Sequence, residues 1–88
     1  MASPGTHNLD ETQRRILAFV CRWVSPGSGE YESRQTLTGE LRLALSEYDE
    51  ACRGLIRFGL ITTDQPLSGD CDFIAPTPAG RALNSTTK

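Results

Sequence analysis

Eighty-eight residues, 38% of them hydrophobic and 23% charged, with a formal net charge of −2, describe one modest globular core: too apolar for disorder, too short for a second domain. A sequence pI of about 5.2 supplies no overall attraction to polyanions, so any nucleic-acid binding has to come from a local basic patch. No apolar run approaches the about 18 residues of a membrane-spanning helix, and the opening MASPGTHN lacks the basic and apolar regions of a secretory leader, which sets the expectation of a cytoplasmic protein without membrane contact.

Residues 1–8 read as a flexible tail and 9–84 as the domain. Asn8 or Asp10 can cap a first helix, with Glu11 or Gln13 three residues on to close a capping box. Leu9, Ile16, Leu17, Val20, Trp23 and Val24, with Phe19 at the margin, recur at helical period and predict a buried stripe. Glu11, Arg15, Ala18 and Arg22 lie opposite, with Glu11 and Arg15 at the favourable four-residue spacing, as expected of a solvated face. SPGSG at 25–29 ends this helix.

A short extended piece fits within 31–36, and a helix of about two turns is expected over 36–42 with Leu37 and Leu41 inward. Ser46 is placed as the cap of a third helix whose inward arc holds Tyr48, Ala51, Cys52, Leu55 and Phe58, while Glu50, Arg53, Gly54 and Arg57 point away. Gly59 stands where a left-handed C-terminal residue belongs. Residues 60–63 and 71–75 are β-compatible around the turn QPLSGD and predict a hairpin. Thr77 before Pro78 then supplies a capping hydroxyl and an N-terminal proline for a closing helix through Leu83, with 85–88 as a second flexible tail.

This order resembles the winged helix-turn-helix superfamily, and particular residues share the resemblance. Leu37, Leu41, Leu43, Tyr48, Cys52 and Leu55 fall on its core positions; Gly59, Leu60 and Ile61 look like the "GLI" that leaves the third helix; PTPAGRAL at 76–83 looks like the close of bacterial regulators of the MarR, PadR and ArsR type. The resemblance spans nearly all of the chain past residue 8. It implies an α+β fold, a winged helix-turn-helix with a three-helix core, a two-stranded β-wing and a short C-terminal helix. It says little about ligand, because such domains also bind proteins. Two departures stand out: Arg42 takes the place of a turn glycine between helices two and three, and Cys52 stands where a larger aliphatic residue is usual.

Cys21, Cys52 and Cys71 are odd in number, contain no CxxC and are accompanied by one histidine, His7, so they read as reduced thiols, buried or half-buried, with a redox sensor as the alternative, and not as a zinc site. No nucleophile, base and orienter set is discernible, and no phosphate loop of the GxxxxGK kind. Neither catalysis, a small-molecule substrate nor a cofactor is expected.

The question of a partner turns on charge. In a winged helix that reads DNA, the exposed positions early in the third helix meet the bases; here they are Leu45, Ser46, Glu47, Asp49 and Glu50. Carboxylates there favour the helix through its dipole, yet they oppose phosphate. From Phe58 to Gly80 there is no basic residue, while Asp64, Asp70 and Asp72 lie in or beside the hairpin. The resulting expectation is an unknown protein partner, recognised by Glu47, Asp49, Glu50, Asp64, Asp70 and Asp72 with Leu45 and Ile56 as apolar anchors. The module would serve as a regulatory adaptor or as an inhibitor presenting acidic surface. The alternative is a sequence-specific transcriptional regulator that uses Ser46, Arg53 and Arg57 on helix three in the major groove, DNA being disfavoured by charge. Either monomer or homodimer is compatible with the chain, a dimer resting on helix one or the closing helix.

Overall fold

The computed structural model describes residues 9–64 and 71–86; the two terminal octad and dipeptide segments and the QPLSGD turn, including Asp70, lie outside them. Seven elements follow one another: α1 (Glu11–Trp23), β1 (Glu32–Ser33), α2 (Arg34–Leu41), α3 (Leu45–Arg57), β2 (Ile61–Thr63), β3 (Phe73–Pro76) and α4 (Pro78–Thr86). The result is an α+β fold with four helices and a small antiparallel sheet.

Helix α1 starts as its capping residues dictate. The Asp10 carboxylate accepts from Gln13 N at 2.8 Å, and Gln13 Oε1 accepts from Asp10 N at 3.0 Å, so two otherwise orphaned donors are satisfied. At the other end Arg81 reaches from α4 and donates to the carbonyls of Cys21 (3.4 Å) and Val24 (2.6 Å), closing the C-terminus of α1 with charge of the favourable sign.

Helix α2 begins two residues earlier than its apolar pattern predicts. The Ser33 hydroxyl accepts from Thr36 N at 3.2 Å and thereby caps it. The extended piece shrinks correspondingly to Glu32 and Ser33, but it pairs with β3, Glu32 opposite Ile74 and Ser33 opposite Phe73. The expected two-stranded hairpin is therefore a three-stranded sheet of order β1-β3-β2, with Ile61 opposite Pro76 and Thr63 opposite Ile74 on its other side. Two residues of strand carry no periodicity, so nothing local announced this pairing.

Arg42 ends α2 with φ 57° and ψ 53°. That is the left-handed conformation glycine adopts cheaply and other residues at a cost of about 1 kcal/mol; the departure noted at this position is a backbone requirement met by the wrong residue type. Ser46 does not cap α3. The N-cap is Ala44, which has no side chain to offer, and only the reciprocal half of the box exists, with Glu47 Oε1 accepting from Ala44 N at 3.0 Å. Since Ala44 already has the extended backbone of a capping residue, φ −68° and ψ 152°, Ala44→Ser should complete the box. It is expected to add about 1 kcal/mol, read as a rise in the urea midpoint at unchanged m; no rise would place the hydroxyl out of reach of Glu47 N.

The core joins Ile16, Leu17 and Val20 of α1 to Leu37 of α2, to Tyr48, Ala51, Cys52 and Leu55 of α3, and to Leu60, Ile61 and Ile74 from the sheet and its approach. Burial of these side chains, each contributing about 1.5–3 kcal/mol when large, is what assembles short elements that would not be stable alone. Two members of the predicted stripes are outside it. Trp23 is 59% exposed and Phe58 39%: both stand at the C-terminal ends of their helices. The closing helix runs on past Leu83 to Thr86, across the first half of what was expected to be a tail. Among the described residues no helix is long and apolar enough to cross a membrane.

Candidate interaction surface

Helix α3 is held by what its inner side touches. The Tyr48 hydroxyl, fully buried, donates to the carbonyl of Cys71 at 2.7 Å and fastens the helix to the entry of β3. The Cys52 thiol lies within hydrogen-bonding reach of Tyr48 and of Cys71. Burial is the main cause that pushes all three groups above their ordinary pKa values; Cys52 and Cys71 add to it for Tyr48, while for Cys52 the hydrogen bond with Tyr48 pulls the other way and Cys71 adds to the rise. Cys21, half-buried on α1, is raised by burial against the lowering influence of Arg81. Thiols distant in sequence thus form one close pair and one separate group, all free. Among the described residues no cluster of three or more His, Cys, Asp or Glu side chains could hold a metal.

The outer side divides the acidic residues into two groups. Asp49 lies on the flank of α3 that faces β1 and the start of α2, where Arg34 sits between it (3.6 Å) and Asp72 (3.0 Å). The Arg34 backbone also donates to the Asp72 carbonyl at 2.7 Å. One guanidinium against two carboxylates leaves a net negative charge, so this clasp is partly neutralised without changing sign. The partner of Asp49 comes from α2. Leu45, one turn before Asp49 on that flank, is 58% exposed, and Phe73, next to Asp72, is 45% exposed. Ile56 on the same flank is half-buried and packed against the core. Asp64 is exposed at the end of β2.

Glu47 and Glu50 are on the opposite flank. They are exposed and line a shallow depression with Asp10, Thr12 and Ala51, beside the N-terminus of α1. The acids that the sequence groups in one run are therefore presented in two directions. Ser46, Glu50, Arg53 and Arg57 form the outermost line of α3, all exposed, at spacings of four, three and four residues.

Most arginines elsewhere are occupied by structure. Arg14 donates to the Leu9 carbonyl (2.8 Å), Arg15 to the Leu41 carbonyl (2.7 Å), and Arg81 to the end of α1. A cavity of about 360 Å³ lies between the 25–31 loop and the start of α4; its charged lining is Glu30 and Arg81, the latter already committed to backbone carbonyls.

A feature that sequence periodicity missed lies on α1. Phe19 and Trp23 pack with ring centroids 6.1 Å apart and planes tilted by 39°, the Arg22 guanidinium sits 5.7 Å from the centre of the Trp23 ring, and with Arg15, Ala18 and Leu41 they line a groove of about 320 Å³. Part of the face expected to be merely solvated is thus apolar and aromatic. The signal that could have found it was the pairing of two large aromatics four residues apart at the margin of the stripe.

No family model matches the chain, and neither a curated protein nor a solved structure matches it.

Proposed function

We propose that this chain is a winged-helix module that works by binding another protein, through the flank where α3, the start of α2 and the sheet meet. The carrying observation is the Asp49–Arg34–Asp72 clasp with Leu45 and Phe73 exposed on either side of it. Two large apolar side chains beside a clasp of partly compensated charge suit an interface core with a polar rim. They do not suit phosphate: the Arg34 guanidinium is engaged by two carboxylates, and Asp64 adds a third acid. Catalysis has no place in this reading.

A second reading rests on the outer line of α3. Ser46, Arg53 and Arg57 are exposed together, neither arginine making an ion pair among the described residues, and this line could enter a major groove as in DNA-binding members of the superfamily. A single experiment separates the two. The chain is passed over a random-sequence duplex pool at about 50 mM salt, where phosphate contacts are strong, and captured partners from the native host are compared after nuclease treatment. The protein-binding reading expects no duplex retention, and a nuclease-resistant partner that Leu45→Asp with Phe73→Ser releases while Arg53→Ala with Arg57→Ala does not. Duplex retention lost in the arginine variant would replace it with the second reading.

A further inference from the structure

The groove between α1 and the end of α2 is basic, whereas the flank that carries the Asp49–Arg34–Asp72 clasp is acidic. Arg15 and Arg22, both exposed, line it seven residues apart, a rise of about 10 Å along the helix. Ala18 and Phe19 lie between them, and Trp23 and Leu41 complete the lining. Among the described residues no acid lines this groove, while the depression at the other end of α1 is lined by Asp10, Glu47 and Glu50. We propose that the groove docks an acidic amphipathic helix of another protein, one that presents two carboxylates two turns apart with large apolar side chains between them.

Charge decides the kind of partner. Arg15 donates to the Leu41 carbonyl at 2.7 Å, a neutral acceptor that takes one of five N–H donors and leaves the positive charge uncompensated. Arg22 lies against the Trp23 ring at 5.7 Å, an arrangement that steadies the planar guanidinium while its N–H groups stay able to meet a carboxylate. Neither arginine forms an ion pair among the described residues. Glu11, one turn before Arg15, and Glu40, beside Leu41, fall outside the lining. Exposed Arg14 and Arg42 balance those two acids, so Arg15 and Arg22 remain as a local positive surplus on a chain of net charge −2. Such a surplus repels a basic segment and attracts an acidic one. It is too small for a duplex, whose affinity comes from neutralising many phosphates at once.

The apolar lining and the spacing favour a helix. Phe19 and Leu41 are half-buried and packed against the core, while Trp23 is 59% exposed, so the groove has an anchored wall and one large ring left to be covered. Tryptophan and arginine are the residue types that most often dominate the free energy of protein interfaces. Ala18 keeps the ridge low between the two arginines and lets a second helix lie close along α1. On such a helix, residues at i and i+7 come two turns apart on one side, and those at i+3 and i+4 fall between them. That is the register of Arg15, Ala18, Phe19 and Arg22 themselves. Leu45, Phe73 and the Arg34 clasp lie outside the lining, so this contact is separate from the protein-binding flank and takes a partner of opposite charge.

The test uses the full chain and an alanine-based peptide of about 18 residues, long enough to be helical alone, with glutamates at i and i+7 and leucines at i+3 and i+4. Trp23 is the sole tryptophan, so its emission reports docking: a saturable blue shift is expected with Kd on the order of 100 µM at about 50 mM salt. Lysine in place of glutamate should abolish the shift, and alanine in place of leucine should weaken binding at least about tenfold. Arg15→Gln with Arg22→Gln should weaken it at least about fivefold, with circular dichroism confirming the fold. Leu45→Asp with Phe73→Ser should leave it within about twofold, whatever that variant does to the partner of the other flank. No shift up to about 1 mM peptide, equal binding of the lysine peptide, indifference to the arginine pair, or loss in the Leu45 and Phe73 variant would each overturn the inference. So would displacement of the peptide by an oligothymidylate of about 12 nucleotides, or a blue shift driven by the concentration of the protein alone.

Discussion

Gly80→Ala is expected to lower the unfolding free energy by about 3 kcal/mol, whereas Gly39→Ala should raise it by about 1 kcal/mol. Both glycines lie inside helices, and propensity alone treats them alike. At Gly80 an added Cβ would collide with the Leu60 carbonyl oxygen and press on Leu17 Cδ1 at 3.2 Å; at Gly39 it would meet nothing within 4 Å. Leu60 cannot yield cheaply, because its carbonyl already accepts from Thr77 N at 3.0 Å and its side chain is buried. Helix α4 would have to withdraw, loosening the bond from Thr77 Oγ1 to the Gly59 carbonyl at 2.6 Å as well. Urea unfolding of the two variants reads opposite signs. Equal effects would mean that α4 does not seat on Leu60 as described.

Alkaline solution should unfold the protein far below the pH at which exposed groups alone would do so. The Cys52 thiol and the Tyr48 hydroxyl are both fully buried and both held well above their ordinary values, in each case chiefly because burial penalises the charged form. A raised folded value means the stabilisation is complete below the unfolded pKa, about 8.5 for cysteine and about 10 for tyrosine, and is lost as pH rises toward the folded value. Above pH of about 9 the unfolded chain releases the Cys52 proton while the folded one retains it. Cys52 then removes about 1.4 kcal/mol per pH unit, with Cys21 and Cys71 contributing in the same direction and Tyr48 joining at about pH 10. Urea unfolding at intervals from about pH 8 to 11 should show this steepening, and Cys52→Ala should flatten the first part of the slope whatever it does to stability at neutral pH. A slope unchanged by Cys52→Ala would show that the thiol ionises as readily folded as unfolded.

The Asp49–Arg34–Asp72 clasp shows how a charge argument made on sequence is amended without being reversed. Counting carboxylates early in α3 and around the hairpin gives a uniformly acidic surface, because Arg34 belongs to a different element and helical spacing offers Asp49 only Arg53 as partner. The fold brings Arg34 from α2 to both acids. The same packing turns Glu47 and Glu50 toward α1, so that one acidic run serves two surfaces.

Helix α1, a capping box at its start and the inward residues of α3 other than Phe58 were legible in the chain because each depends on groups within about one helical turn of one another; the left-handed residue at position 42 was not, since an arginine carries no signal for that conformation. Periodicity, however, gives a side chain a direction and no covering neighbour. That Trp23 and Phe58 remain exposed, that Ser33 pairs across to Phe73, and that Cys52 meets Cys71 all depend on where a distant segment ends. Those contacts join residues that are far apart in sequence, and only the closing of the chain into three dimensions brings them within a few ångströms.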